Sequence, residues 1–205
     1  MSSRMGQLAY QPAGWVATLA SIVVGQVGMG QTQARWERTT RADPIAAKIA
    51  DRHYNRQRIG ARQFVPPGRC IVLRLFNCQA LWVTSWPLPE FTKHAWAGAW
   101  INTCFRNESI LLSSDLIVEA VAITRGYWHP PPLGIITFVD STKIKSSNPG
   151  YCYKKAGFRK CGVTKSGLLA FQMLPEEMPD PIAPFCRQLQ LFACYPSAIS
   201  SPTCG

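Results

Sequence analysis

The sequence predicts one α/β domain in which strands and helices alternate around a hydrophobic core. Three observations lead to this prediction. Of the 205 residues, 47% are hydrophobic, which is ample material for a sizeable core. Short apolar runs bounded by turn residues, typical of strands, occur on both sides of one long segment with helical periodicity. A further capped helix precedes the first run, so helices and sheet are expected to pack as layers.

The first helix is predicted to begin at Asp43-Pro44, because Asp is a favoured N-cap and Pro fits the first helical position. Ile45, Ile49 and His53 then recur every four residues on one face. We therefore expect the His53 imidazole to point toward the interior, with Tyr54 beside that face.

The strands are predicted from apolar runs and the turns between them. Residues 70–76 and 80–86 form a hairpin around Asn77-Cys78-Gln79, and residues 96–105 are a third strand. Residues 134–139 form a continuous apolar run typical of a strand that is covered on both sides. The last predicted strands are residues 158–161 and 168–174.

Two more helices are predicted in the second half of the chain. The longer one begins at Ser113-Ser114, whose hydroxyls are expected to cap it, and its apolar positions continue to Tyr127. A shorter helix begins at Asn148-Pro149 and ends at Gly157.

These elements place the domain at residues 36–180. Residues 1–35 are expected to be a poorly ordered N-terminal extension, because the apolar stretch within residues 13–30 is short and diluted by glycines. It predicts neither a membrane span nor an export signal. Residues 181–205 contain Pro, Ser and Cys without a sustained period and are predicted to be a C-terminal tail.

The eight cysteines are scattered, with no Cys-x-x-Cys pair and no accompanying His cluster, so a zinc knuckle or ribbon is not supported. Reduced, mostly buried thiols are typical of a cytoplasmic protein, and we expect that location.

The net charge of +11 favours a polyanionic partner such as nucleic acid or anionic lipid. Sixteen of the 22 cations lie in two windows, residues 35–69 and 143–165, which predicts two basic surfaces with the core between them. Eight of these cations are candidates for DNA phosphate contacts: Arg52, Arg56, Arg58, Arg62, Lys143, Lys145, Lys154 and Lys155. A solvated charged face is the alternative.

The element order, ending in Tyr153-Lys154-Lys155-Ala156-Gly157-Phe158, resembles the GNAT superfamily of acyl-CoA-dependent N-acyltransferases. That resemblance implies a mixed, mostly antiparallel sheet flanked by helices, with acetyl-CoA or a related acyl donor as cofactor. It also implies that Tyr153 acts as general acid on the departing thiolate; a packed helix tyrosine is the alternative. The Gln/Arg-x-x-Gly-x-Gly/Ala pyrophosphate loop of that superfamily is missing here, and residues 106–114 stand in its place.

A narrower resemblance covers most of residues 36–180. The strings DRHYNRQ, LWVTSWP, AWINTCFRNE, LSSDLI, ITFVD and PGYCYKKAGF resemble the Mom DNA-modification family of phages and bacteria. The resemblance implies modification of adenine at N6 in double-stranded DNA, evasion of restriction, and a bound iron. It also implies a carbamoylmethyl-type product and places His53 and Tyr54 in the active site.

Three residues are candidates for the reacting centre or a metal. His53 is suited to be a base or a ligand, since imidazole titrates near neutral pH, and a hydrogen-bonded core histidine is the alternative. Tyr54 supplies a hard oxygen or a stacking face, or else packs against the following loop. Asp140 follows a buried strand, where α/β sheets open into a crevice, or caps the turn at Ser141-Thr142. Tyr54 and Asp140 together would be an oxygen pair suited to iron, though an incomplete site.

Arg106, Ser113 and Ser114 are candidates for holding an anion, because a guanidinium would face a helix N-terminus. A surface arginine and an ordinary cap are the alternative. Of the tryptophans, any of Trp82, Trp86, Trp96, Trp100 and Trp128 is a candidate to stack on a base that has left the duplex.

The sequence therefore predicts an enzyme that modifies adenine in double-stranded DNA, with no membrane association, and it is compatible with a homodimer. Two alternatives remain: an acetyl-CoA-dependent N-acetyltransferase acting on a protein or small amine, and a non-catalytic DNA-binding protein on a GNAT scaffold.

Overall fold

The computed structural model describes residues 34–183, which form one α/β unit. The predictions for residues 1–33 and 184–205 lie outside these residues. The described strands are β1 (Trp36–Thr39), β2 (Arg69–Leu75), β3 (Ala80–Trp86), β4 (Trp100–Asn107), β5 (Ile135–Val139), β6 (Arg159–Val163) and β7 (Leu169–Met173). The α-helices are α1 (Pro44–Asp51), α2 (Ser113–Tyr127) and α3 (Tyr151–Lys155), with short 3₁₀ turns at Pro89–Phe91 and Pro175–Glu177.

All seven strands lie in one sheet of order β1-β2-β3-β4-β5-β7-β6. Every neighbouring pair is antiparallel except β4 and β5, which run parallel and are connected through α2. The predicted mixed, mostly antiparallel sheet flanked by helices is confirmed.

The two faces of the sheet are covered differently. On one face, α2 and α3 pack on a large core that includes the fully buried indoles of Trp36, Trp82 and Trp100. On the other face, α1 packs on β2 and β3 through Ile49. This smaller core contains the strand residues between those of the larger core, namely Val72, Leu81 and Val83. Because side chains alternate along a strand, the single apolar runs of β2 and β3 supply both cores.

The N-terminal part of α1 is as predicted. The Asp43 carboxylate accepts hydrogen bonds from the backbone N–H groups of Ile45 (2.8 Å) and Ala46 (3.2 Å). It also contacts the guanidinium of Arg74 on β2 at 3.3 Å, which attaches the helix start to the sheet.

The C-terminal end of α1 differs from the prediction. The helix ends at Asp51, so His53 does not continue its inward face but lies in the turn that follows. Ile45, predicted on the same inward face, is 43% exposed. Two turns of helix are too short for a four-residue recurrence to define a face reliably.

The start of α2 also differs. Its N-cap residue is Leu112, and no side chain caps the helix. The Ser113 hydroxyl instead accepts a hydrogen bond from Asn107 (3.1 Å), while that of Ser114 lies 3.4 Å from the Asp115 carboxylate. The hydroxyls predicted as caps therefore stand inside the first turn.

The remaining elements agree with the prediction within a few residues, with two exceptions. β4 begins at Trp100 rather than at residue 96, because residues 97–99 form a turn closed by the Ala99 N–H on Trp96 O. β1 was not predicted, because an alternation of apolar and polar residues over only four positions, WERT, does not distinguish a strand from a loop.

Candidate functional site

The candidate site lies where β4 and β5 separate. The two strands pair only from Trp100 to Asn102, opposite Ile135 to Thr137, although both continue beyond this point. On the other side of β4, Val83 pairs with Cys104 and Thr84 with Asn102, so Thr103 is an extra residue in a bulge. The pairing of β4 with β5 thus ends beside this bulge, and a wedge opens between the two strands in the middle of the sheet.

Asn102 holds this opening in place. Its side-chain amide donates to the carbonyl oxygens of Val83 (3.0 Å) and Cys104 (3.1 Å), on either side of the bulge. Its amide oxygen accepts from the Tyr153 hydroxyl (2.7 Å) and the Thr137 hydroxyl (3.3 Å). The side chains of β4, β5 and α3 are thereby joined by one buried polar network at the floor of the wedge.

The wedge contains a cavity of about 140 Å³, called here the wedge cavity. Its walls come from both faces of the sheet: His53 and Tyr54 follow α1, whereas Cys152 and Tyr153 belong to α3. A gap between two strands is what allows side chains from opposite faces to meet.

A larger cavity of about 540 Å³, called here the loop cavity, lies between β4 and the loop that follows α1. Four residues line both cavities, namely His53, Asn55, Thr103 and Cys104. The two cavities therefore share a wall, and His53 is on it.

The hydrogen bonding of His53 determines which of its nitrogens carries a proton. Nδ1 accepts a hydrogen bond from the backbone N–H of Asn55 at 3.2 Å. Neutral imidazole has one protonated nitrogen, so Nε2 carries the proton and is a donor. Burial, together with the nearby Arg106 guanidinium, lowers the pKa of His53 to about 4. His53 is thus neutral at neutral pH and offers an N–H rather than a lone pair.

Tyr54 stacks on His53, with ring centroids 4.4 Å apart, and is 37% exposed. Burial raises the pKa of its phenol, although a hydrogen bond with the backbone of Asp140 opposes the shift. The contact joins the loop after α1 to the end of β5 across the mouth of the wedge.

Asp140 is near Tyr54 through its backbone, but its carboxylate is used elsewhere. It accepts hydrogen bonds from the Thr142 N–H (3.0 Å) and hydroxyl (2.6 Å), and Lys143 Nζ lies 3.7 Å away. The Thr142 hydroxyl is the main reason that the Asp140 pKa is lowered. This is the turn-capping role that the sequence left open as the alternative, and it takes the carboxylate out of the site.

The remaining titratable groups of the wedge cavity are also neutral at neutral pH. Burial raises the pKa of the Tyr153 phenol, which is a hydrogen-bond donor to Asn102, well above its usual value. Burial likewise raises the pKa of Cys104 to about 12 and that of Cys152 above its usual range. Neither thiol is poised as a thiolate nucleophile.

Arg106, Ser113 and Ser114 are not brought together. Arg106 donates to Glu108 (2.6 Å) and to the Arg52 carbonyl (2.6 Å) on the α1 side of the sheet. Arg52 also pairs with Glu108, and this contact holds the pKa of the Glu108 carboxyl near 2. The guanidinium of Arg106 thus anchors the loop after α1 to β4, and the predicted anion site is not formed by these three residues.

The residues present do not fit the iron that the resemblance implies. The Asp140 carboxylate is hydrogen-bonded to Thr142 within its own turn, so the expected oxygen pair of Tyr54 and Asp140 would form only if that turn opened. Among residues 34–183, no group of three or more His, Cys, Asp and Glu side chains is arranged to hold a metal.

The loop before α2 uses two of its backbone donors internally. The Ser109 N–H donates to Asn107 Oδ1 (2.9 Å) and the Leu111 N–H to the Ser109 hydroxyl (3.2 Å). A cradle for the diphosphate of coenzyme A needs backbone N–H groups that face the ligand, and these two are turned to the loop itself. Residues 106–114 also contain no glycine, unlike the pyrophosphate loop of the GNAT superfamily.

The eight candidate DNA-binding cations divide into two groups. Four are held by neighbouring side chains: Arg52 by Glu108, Arg56 by Asp51, Lys143 by Asp140 and Lys154 by Asn148. Within the described chain, no ion pair is formed by the other four, which are exposed: Arg58, Arg62, Lys145 and Lys155. Residues of both basic windows line the wedge cavity, so the two segments approach each other there.

Neither cavity is lined by the five candidate stacking tryptophans in the part of the chain that is described. Trp82 and Trp100 are fully buried in the core, and Trp86 and Trp128 pack together under the Arg69 guanidinium. Trp96 packs on Phe138 at the opposite side of β5.

Sequence reasoning missed Asn102, Thr137, Cys104 and the loop around Phe64. Asn102 and Thr137 carry a recognisable signal, since each is a polar residue inside a predicted apolar strand. Cys104 and Phe64 carry none, because buried Cys and Phe are ordinary core residues.

No helix of the described chain has both the length and the apolar character needed to cross a bilayer. Comparison of the chain with protein-family models, curated proteins and solved structures finds no match.

Proposed function

We propose that this protein transfers a small group to the exocyclic amine of adenine in DNA, as the resemblance to the Mom family implies. The observation that carries the proposal is the pair of cavities that share the His53 wall. A transferase must bring a donor and an acceptor together in one geometry, and two adjoining cavities allow this. The exposed cations of the two basic windows favour a polyanionic acceptor.

The wedge cavity is the proposed donor site. Its titratable groups are neutral at neutral pH and its volume is small, so it suits a short uncharged group better than an anion. The Nε2–H of His53 donates to an electronegative atom of the donor as negative charge develops there. The network of Asn102, Thr137 and Tyr153 keeps the floor rigid beneath it.

In the overall reaction, a bond forms between adenine N6 and a carbon of the donor. N6 loses one proton, and the leaving group departs with the bonding pair and takes up a proton. No step requires ionisation of His53, Tyr54 or Tyr153. A carbamoylmethyl product is attached through a CH₂ carbon, and the mass of the modified base identifies the group that was transferred.

The proposal is tested by mass spectrometry of nucleosides from plasmid DNA co-expressed with the protein. A modified deoxyadenosine is expected with the wild-type chain and with Lys93→Gln, which removes an exposed cation that lines neither cavity. It is expected to be absent with His53→Ala. Unmodified DNA from well-folded wild-type protein would contradict the proposal.

The second candidate function, an acetyl-CoA-dependent N-acetyltransferase, is favoured by the divergence of β4 from β5, which opens a cleft beside a strand bulge. The loop before α2 argues against it, because it lacks the glycines of the GNAT pyrophosphate loop and uses two of its backbone donors internally. The two candidates differ in thermal stabilisation, because a coenzyme A enzyme is stabilised by millimolar acetyl-CoA whether or not DNA is present. We expect no such shift.

A further inference from the structure

Two exposed arginines are held in place by aromatic rings. The guanidinium carbon of Arg38 lies 4.4 Å from the centre of the Tyr127 ring. That of Arg69 lies 4.5 Å from the ring of Trp86 and 5.4 Å from that of Trp128. A guanidinium is attracted to the face of an aromatic ring, so both side chains are positioned without the help of a carboxylate.

The hydrogen-bond donors of these two arginines are free. Within the described chain, neither guanidinium forms an ion pair or donates a hydrogen bond. Their neighbours in the sequence differ, since Arg35 pairs with Glu119 and Arg74 with Glu37. A guanidinium that is already positioned but has free N–H groups loses less conformational freedom when it binds an anion.

The two arginines belong to one surface of the sheet. Both point to the face that α2 covers, because they have the parity of the core residues of β1 and β2. Arg38 is opposite Leu73, which is four residues along β2 from Arg69. Their Cα atoms are therefore roughly 14 Å apart, from about 3.3 Å per residue and about 4.8 Å between strands. Their partners Tyr127 and Trp128 are consecutive residues at the end of α2.

A phosphodiester backbone matches this arrangement. Each guanidinium presents a planar fork of donors that fits a phosphate. A separation of roughly 14 Å corresponds to about four base-pair steps of a duplex, at about 3.4 Å per step, so one duplex offers phosphates to both arginines. A single small anion would reach only one of them. The net charge of +11 favours the polyanion as well.

The arginine surface and the wedge lie toward opposite ends of β4. Trp86, which packs under Arg69, donates to the Gly98 carbonyl (3.2 Å) just before β4 begins, whereas the wedge opens beyond Asn102. The eight residues of β4 span roughly 26 Å. One turn of a DNA duplex is about 34 Å long, so a single duplex is long enough to contact both places.

We propose that Arg38 and Arg69 are a second DNA contact, which binds phosphates of the duplex that is modified at the wedge. This inference rests on the proposed function, because it names a further surface for the same acceptor. It adds to the eight candidate cations two arginines whose position, and not only whose charge, is determined by the fold.

The salt dependence of DNA binding tests the surface. Fluorescence anisotropy of a labelled duplex of two helical turns is measured with the purified full chain. In the double variant Arg38→Gln with Arg69→Gln, we expect the slope of log affinity against log salt to fall by about 1.8, which is about 0.9 per lost contact. Lys48→Gln with Lys93→Gln removes two exposed cations elsewhere and should leave the slope unchanged. An unchanged slope in the arginine variant, or equal reductions in both variants, would overturn the inference.

A substitution that keeps the net charge tests the role of the rings. Tyr127→Leu removes the ring under Arg38, and we expect about a threefold loss of duplex affinity, as for one exposed cation–π contact. Tyr127→Phe keeps the ring and should bind as the wild type does. Full affinity in a folded Tyr127→Leu would contradict the positioning of Arg38 by the ring.

The nature of the partner and the proposed reaction are distinguished by two further measurements. If the arginine double variant lost binding to phosphatidylserine vesicles while its DNA slope stayed unchanged, the surface would belong to a lipid partner and the inference would be wrong. A reduced slope without any modified adenine in co-expressed DNA would contradict the proposed reaction and leave the DNA contact in place. Modified adenine with an unchanged slope would do the reverse.

Discussion

At the residue scale, His53 owes its character to its place two residues beyond the end of α1. The turn there directs the Asn55 N–H at Nδ1 and leaves Nε2 protonated in the neutral ring. A histidine chosen from sequence as a general base thus becomes a hydrogen-bond donor. One backbone contact determines this, and no residue pattern reveals it.

The protonation of His53 is directly measurable. Long-range ¹H–¹⁵N NMR of histidine-labelled protein should show the neutral ring protonated on Nε2 at pH 7. Lowering the pH should then protonate the ring with a pKa near 4, because burial and Arg106 oppose the cation. An ordinary pKa near 6.5, or a proton on Nδ1, would refute the assignment.

The same shift predicts how stability depends on pH. The pKa of His53 is lower in the folded state than its ordinary 6.5, so the unfolded chain binds the proton more tightly. The stabilisation is present above pH 6.5 and is lost as the pH falls from there toward 4. Urea unfolding across this pH range should show a smaller loss in the free energy of unfolding for His53→Gln than for the wild type. Equal pH dependence in the two proteins would be evidence against a lowered pKa of His53.

Asn102 is the residue on which the shape of the wedge depends. Asn102→Leu would leave the Val83 and Cys104 carbonyl oxygens and the Tyr153 hydroxyl without their partner. We expect a loss of about 3 kcal/mol in the free energy of unfolding, since each unsatisfied buried group costs about 1–3 kcal/mol. Urea denaturation measures it.

The neighbouring bulge residue supplies the control for Asn102. Thr103 is exposed, and its hydroxyl lies 3.4 Å from that of Ser85 at the surface. Thr103→Ala should therefore change stability by less than about 0.5 kcal/mol. A similar loss in both variants would mean that the buried network is not what holds the strands.

At the element scale, the parts predictable from sequence were those with a local cause. The Asp43-Pro44 helix start, the hairpin of β2 and β3 and the buried strand β5 follow from capping chemistry, turn residues and apolar runs. The end of α1 and the bulge at Thr103 do not, because they depend on contacts between residues that are distant in the chain, Arg52 with Glu108 and Asn102 with Val83. His53, Tyr54 and Tyr153 line one cavity, whereas the position of the Asp140 carboxylate depends on its neighbour Thr142.

The N-terminus of α2 provides a prediction that concerns this helix alone. Leu112 is in the N-cap position with extended backbone (φ −66°, ψ 125°) and is 67% exposed. Leu112→Asp would supply the missing side-chain cap and a negative charge near the positive end of the helix dipole. We expect a gain of about 1 kcal/mol, measured by thermal unfolding. Ile110→Asp, which puts the same charge at a fully exposed position before the helix, should give little change; equal gains would point to charge rather than capping.

At the scale of the whole molecule, the fold brings two basic segments that are separate in sequence together at one edge, beside the wedge cavity. Residues 35–69 and 143–165 are far apart in sequence, yet Tyr54 meets the backbone of Asp140 and both loops line the wedge cavity. About half of the candidate cations are neutralised or held by local partners, and these position the loops. The other four are exposed and form no ion pair within the described chain, so they are the cations that would contact a phosphate backbone.

The division of the candidate cations into held and exposed groups predicts how DNA binding responds to salt. Each phosphate contact that is lost lowers the slope of log affinity against log salt by about 0.9. Arg62→Gln and Lys145→Gln, one exposed cation from each window, should each reduce the slope by about that amount for a DNA duplex in fluorescence anisotropy. Lys93→Gln removes the same charge from an exposed position outside both windows and should leave the slope unchanged. If all three variants lower affinity equally, the chain attracts DNA only through its net charge, and the edge formed by the two windows is not where DNA lies.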